Sequence, residues 1–171
     1  MLEPLIEKGE FEVVREDWTE DWKPENAKKI ANAAITKVGP NFDAILASND
    51  GMAGGATQAL NEEGLAGKIL VTGQDAELSA CQRIVNGTQA MTIYKPLSRL
   101  AKQAAETAIK LAKGKPVVAS GKINNGQVDA PSILLDVVVV TKENMMNTVV
   151  KDGFHTAADV YRGAPEAQPT P

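Results

Sequence analysis

One cysteine and one histidine in 171 residues limit the chemistry this chain can perform. Cys81 alone cannot close an internal disulfide or build a cysteine-based zinc site, and His155 has no second histidine or cysteine beside it to share a metal. Cys81 reads most simply as a small buried hydrophobe on a helix face. The sequence also lacks G-x-G-x-x-G, G-x-S-x-G, a Walker motif and a histidine beside a nucleophile, the usual signatures of dinucleotide, acyl and phosphoryl chemistry. No cofactor, metal or catalytic residue is therefore expected. Asp50 and Asp75 could form a glycosidase acid/base pair only at a specific separation, which a sequence does not give.

Basic residues are too few for a nucleic-acid surface: 18 Lys and Arg stand against 22 Asp and Glu, a net charge of −4. No segment approaches the roughly 18 consecutive apolar residues of a membrane span, and "MLEPLIEKGE" has neither the basic head nor the apolar core of a signal peptide. Hydrophobic content of 43% and charged content of 23% are those of a globular chain with a real core. Scarcity of cysteine does not choose a compartment.

What is present is an alternation. Leu2, Leu5 and Ile6 have helical spacing, and a strand-like "FEVV" follows at 11–14, so the chain opens on the tail of a helix with no strand before it. That order points to upstream sequence. Pro24 suits the first turn of a helix carrying Ala27, Ile30, Ala31, Ala34 and Ile35, which Gly39-Pro40 stops. A strand at 42–47 leads into the small-residue helix "GMAGGATQALNEEGLAGK". "ILVTGQD" leads into "AELSACQRIVNG", and "AMTIYKP" into a long helix over 97–113. Short apolar strands alternating with amphipathic helices predict an α/β fold, a mostly parallel sheet with helices on both faces. From residue 114 Gly, Asn and Pro turns separate extended runs at 122–124 and 132–140, a hairpin or edge pair, and the Pro-rich end reads as a disordered tail over 156–171.

Three of the strands finish on polar groups: Asn49 and Asp50 after "ILAS", Asp75 after "VTGQ" and Lys95 after "TIY". Carboxyl ends of parallel strands lie side by side, and ligands of open α/β sheets bind in the crevice beyond them. An amide, two carboxylates and an ammonium suit a polyol, whose hydroxyls both donate and accept. The competing reading is that Asp50 and Asp75, each just before a helix, are N-caps. Aromatics make up only 4% of the chain, yet Trp18 and Trp22 both fall in the polar loop after the first strand-like segment. An indole face can stack on the C–H face of a sugar ring, with loop packing as the alternative. Asn26, at the start of the next helix, is a further candidate for the same crevice.

The runs "W-KPENA-KI", "DAILASND--AGGA-QAL---GL-GK", "TGQDAEL", "RI--GTQAMT-YKP" and "VKDGFH" together resemble the D-xylose-binding members of the type I periplasmic sugar-binding proteins of bacterial ABC transporters. The resemblance covers residues 1 to about 155 and implies two similar α/β lobes closing on one sugar at a three-segment hinge. It implies a monosaccharide ligand of the xylose type, a membrane permease as partner and an extracytoplasmic location. By the same resemblance Asn49, with Asp50 beside it, Asp75 and Lys95 are sugar contacts of the C-terminal lobe; Trp22 supplies an aromatic face, and Asn26 is the weaker carry-over. Family members are about twice as long. Residues 1–96 then correspond to an incomplete C-terminal lobe lacking its first strand, and residues 97–155 to a hinge crossing, helix and strands that pack on an N-terminal lobe absent here, or supplied in trans. A helix deprived of that lobe would leave an apolar face exposed. The same lobe also serves as the sugar-sensing part of transcription regulators, but this acidic chain carries no helix-turn-helix or basic headpiece.

Overall fold

The computed structural model describes residues 2–168. In chain order the elements are α1 (Glu3–Glu7), α2 (Pro24–Val38), β1 (Ala44–Leu46), α3 (Asp50–Glu62), β2 (Leu70–Gln74), α4 (Leu78–Val85), β3 (Met91–Tyr94), α5 (Leu97–Ala112), β4 (Gly121–Asn124), β5 (Asp129–Ser132), β6 (Val138–Val140) and α6 (Ala157–Val160). They form two units. One runs to Ile93 and resumes at Val139, and the other spans Tyr94–Val138. The boundary expected at residue 155 therefore falls at 138, because the returning segment has its own buried side chains, Val140, Met145, Val149 and Val160, within the first unit.

The first unit carries a four-stranded sheet in the order β1-β2-β3-β6. The β1–β2 and β2–β3 pairs are parallel, with Ile45 opposite Val71 and Gly73 opposite Thr92. Side chains alternate along a strand, so Ile45 and Val71 share a face. That face meets the core of Ala53, Leu60 and Ile69, with Ile35 and Phe42 packed on it. Ala31 of α2 joins Ala56 and Ala59 of α3 in an adjoining cluster. On the opposite face Leu46 is 75% exposed and Leu70 58% exposed.

The small residues of α3 allow α2 to approach it closely. A Cβ added at Gly55 would stand 2.0 Å from the Pro24 carbonyl oxygen and 3.2 Å from the Lys28 amide nitrogen. Because the obstacle is backbone, no side chain can rotate away from it.

A buried polar hub ties the carboxyl end of this sheet together. Asp50 is the first residue of α3 and is 0% exposed. Its Oδ2 accepts from the Glu77 amide at 2.9 Å and the Thr92 hydroxyl at 2.8 Å, and its Oδ1 accepts from Gln89 Nε2 at 2.9 Å. Arg83 donates from Nε to Gln89 Oε1 at 2.9 Å and from a terminal nitrogen to the Asp50 carbonyl at 2.8 Å. Every group is fixed in role: Arg83 can only donate, so Gln89 must turn its oxygen to Arg83 and its nitrogen to Asp50. Burial pushes the Asp50 carboxyl above the usual carboxylate range, and the bonds from Thr92, Gln89 and Glu77 and the charge of Arg83 offset part of that. Burial also lowers the Arg83 guanidinium, against the pull of Asp50 and Glu77. Gly73 makes room for this hub, since a Cβ there would lie 2.1 Å from Asp50 Oδ1.

In the second unit β4 and β5 pair antiparallel, Gly121 opposite Ser132, a hairpin whose second strand lies at Asp129–Ser132, ahead of most of the run expected over 132–140. Its turn is set by Asn125, whose side-chain oxygen accepts from the Gln127 and Val128 amides, and by Gly126 at φ 92°. The extended run expected over 132–140 is interrupted at 133–137 and resumes as β6. Helix α5 has no buried residue, and Leu97, Leu100, Ile109 and Leu111 are all more than half exposed.

Two other expectations are corrected. Residues 11–14 form no strand: they make no ladder, and Phe11 and Val13 are exposed. An extended segment becomes a strand only where an edge accepts its hydrogen bonds. The tail expected over 156–171 is ordered structure as far as it is described, with residues 169–171 outside the described range. The Thr156 hydroxyl caps α6 by accepting from the Asp159 amide, Gln82 Nε2 donates to the Asp159 carbonyl at 2.9 Å, and Tyr161 and Ala164 are buried. Four helical residues are too few for a periodicity to show.

Gly55→Ala should lower stability by about 1 to 3 kcal/mol through overpacking, although alanine is the better helix former by about 1 kcal/mol. The shift in urea midpoint gives the sign directly. For the hub, an aspartate whose folded pKa is raised holds its proton more tightly folded than unfolded, so its contribution to stability falls as pH rises through that interval. Asp50→Asn removes this titration and sets an amide donor against a donor of Gln89, at a cost of about 1 to 3 kcal/mol. Urea unfolding across about pH 4 to 7 should show the stability advantage of the unaltered chain over this variant shrinking as pH rises.

Candidate functional site

Asn49 and Asp75 stand at the carboxyl ends of neighbouring parallel strands, β1 and β2, where Gln74 Nε2 donates to the Ser48 carbonyl at 3.3 Å. Asn49, not Asp50, is the N-cap of α3, its Oδ1 accepting from the Met52 amide at 2.9 Å. With the oxygen committed to the helix, the amide nitrogen is the group left to act outward. Among the described residues Asn49 Nδ2 has no hydrogen-bond partner. Asp50 is the correction here. It was expected to face a ligand, but its side chain is fully buried with both oxygens bound by the protein, so a sugar hydroxyl has neither access nor an available acceptor.

Asp75 and Ala76 form a turn in a conformation L-residues rarely adopt, with φ of 103° and 54°. Such geometry persists only where surroundings over-determine it. Here three consecutive amides are held: Asp75 N–H donates to the Ile93 carbonyl at 2.8 Å, Ala76 N–H to Thr92 Oγ1 at 3.2 Å and Glu77 N–H to Asp50 Oδ2 at 2.9 Å. On the other side the Ala76 carbonyl lies 2.8 Å from His155 Nε2 and 3.7 Å from Cys81 Sγ. The N-cap of α4 is Glu77, so Asp75 is not the helix cap that its position suggested. The Asp75 side chain is half-buried.

Trp22 and Asn26 lie on one local unit. Asp21 and Trp22 also have positive φ, 54° and 57°, and Asn26 Nδ2 donates to the Glu20 carbonyl at 3.1 Å, bracing that turn against the first turn of α2. Trp22 is 57% exposed, and Trp18 is more exposed still. The Asn26 amide nitrogen is thereby committed to the backbone. A Cβ on Gly51 would touch both Asn49 and Pro24 at 3.6 Å, so the starts of α2 and α3 are neighbours. Lys95 follows Tyr94, the last residue of β3, and belongs to the second unit. Among the described residues no group of three or more His, Cys, Asp or Glu is placed to hold a metal. Cys81 is buried, its thiol pushed up to about 12 by burial, with the Asp50 charge adding to the effect.

Thr92, Gln89, Arg83 and His155 were not singled out as parts of this site. Gly73 leaves a trace in the sequence, a glycine inside a strand.

A family model described as a periplasmic binding protein domain matches residues 2–116. The chain is 48% identical over 161 residues to a D-xylose-binding periplasmic protein of Haemophilus influenzae, covering 94% of this chain and 48% of that protein. It is 46% identical over 160 residues to the D-xylose-binding periplasmic protein of Escherichia coli, with the same coverage. A carbohydrate transporter solute-binding protein from Chloroflexus aurantiacus, solved with D-glucose, superposes with a TM-score of 0.81 at 31% identity, covering 92% of this chain and 54% of that one. An ABC transporter solute-binding protein from Actinobacillus succinogenes with bound D-allose gives 0.70 at 29% identity, covering 85% and 47%. The chain thus spans about half the length of the curated relatives it matches. With a parallel α/β unit, polar strand ends and a family match over most of its length, the chain belongs to the periplasmic binding protein family.

Proposed function

We propose that this chain supplies one lobe of a monosaccharide-binding site, without catalysis, for the extracytoplasmic binding component of an ABC sugar importer. D-xylose is the favoured ligand, because the relatives at 48% and 46% identity are D-xylose-binding proteins. The observation that carries the reading is the Asp75–Ala76 turn: a strained backbone held by three protein acceptors at the end of a parallel strand serves to present a side chain.

In this reading the Asp75 carboxylate accepts from sugar hydroxyls, Asn49 Nδ2 donates to a sugar oxygen, Lys95 supplies a second donor and Trp22 offers an apolar face. Asn26 serves by bracing the Trp22 turn. A membrane permease and an N-terminal lobe, in the same polypeptide or in trans, are the protein partners the reading requires. One lobe leaves much of the sugar in water, so each hydrogen bond replaces one to solvent and affinity is weak until a second lobe covers the site.

Titration of the chain with D-xylose, followed by amide shifts of isotope-labelled protein, tests this. Saturable shifts at Asn49 and at Asp75–Glu77 are expected. Asp75→Ala should weaken binding by about 1.5 to 3 kcal/mol, the range for hydrogen bonds to charged groups, with Asp75→Asn losing less since an amide oxygen still accepts. Unchanged xylose affinity in Asp75→Ala removes Asp75 from the site.

A further inference from the structure

We propose that His155 is a positioning residue for sugar recognition, holding the Asp75–Ala76 turn through its Nε2–H bond to the Ala76 carbonyl. The proposal rests on the reading that Asp75 contacts the sugar.

His155 comes from the segment that resumes at Val139, far in sequence from the turn it touches. A carbonyl only accepts, so the 2.8 Å contact requires the proton on Nε2. Phe154 fixes the ring from the side, with centroids 4.6 Å apart and planes tilted by 56°. Ala76 is fully buried, so its carbonyl has no recourse to water. Without His155, what remains at that oxygen among the described residues is the long contact from Cys81 at 3.7 Å, a weak donor.

The turn is thus clasped from opposite sides of one peptide plane. Thr92 and Asp50 hold the amides of Ala76 and Glu77, and His155 holds the carbonyl between them. If the carbonyl is released, Ala76 loses a restraint on its C-terminal peptide and is freer to relax its φ of 54° by movement of the Asp75–Ala76 peptide, and that movement re-aims the Asp75 carboxylate. The C-terminal segment accordingly acts on the binding turn without itself reaching the sugar.

The test uses the full chain and two variants of similar side-chain length: His155→Met, which lacks the donor, and His155→Gln, whose amide nitrogen can restore it. Val149→Ala, a buried change in the same segment whose aliphatic side chain can make no hydrogen bond to the turn, controls for loss of stability. His155→Met should weaken D-xylose binding about fivefold, the value of one ordinary hydrogen bond, and speed hydrogen exchange at the Asp75, Ala76 and Glu77 amides. His155→Gln should stay near the unaltered chain in both readouts, and Val149→Ala should lower the melting temperature with affinity retained. Unchanged affinity in His155→Met, or an equal loss in Val149→Ala, overturns the proposal. Absence of any saturable xylose response from the unaltered chain overturns the underlying binding reading and the claim on affinity with it. Hydrogen exchange uses no sugar and separates that outcome from failure of the clasp itself.

Discussion

The buried carboxylate of Asp50 is the interaction on which the carboxyl end of the sheet depends. It gathers the start of α3, the start of α4, the β3 hydroxyl of Thr92 and the amide of Gln89 around two oxygen atoms. A carboxylate removed from water is tolerated only when its lone pairs are filled and a counter-charge is near. Glu77, Thr92 and Gln89 fill the first requirement, and Arg83, oriented by the Asp50 carbonyl and Gln89, meets the second. Gly73 lies under the carboxylate because any side chain there would occupy its space.

From that hub the conformation of the candidate binding turn follows. Thr92 donates its hydroxyl proton to Asp50 and so can only accept from Ala76, while Asp50 takes the Glu77 amide directly. Two of the three amides of the 75–77 turn are therefore set by the hub, and the third by the β3 backbone. These bonds help sustain the left-handed angles of Asp75 and Ala76. Division of labour between two adjacent residues recurs at α3, where Asn49 caps the helix and looks outward while Asp50 turns inward.

Among the described residues, apolar surface is left open on one face of the sheet and on α5. Leu46 and Leu70 lie on the sheet face opposite the α2–α3 core, and α5 buries none of its leucines. Exposed apolar area on this scale marks a surface that associates or aggregates. The relatives matched are about twice as long.

Much of the fold was legible in the chain. Pro24, Gly39 and Gly64 bound helices whose apolar period is plain, and the parallel order follows from strands alternating with those helices. The positions of Asn49 and Asp75 at strand ends, and the small-residue character of α3, were equally visible, because local periodicity and punctuation set them. What the sequence could not decide was which way adjacent polar residues face. Asn49 and Asp50 differ by one position, and their opposite roles depend on Gln89, Thr92 and Arg83, at least 33 residues away. The failure of "FEVV" to become a strand, the burial of α6 and the clasp of His155 on Ala76 are likewise contacts at long range. Periodicity encodes which face of an element is apolar; only packing brings distant donors and acceptors together and assigns each polar group to the interior or to a ligand.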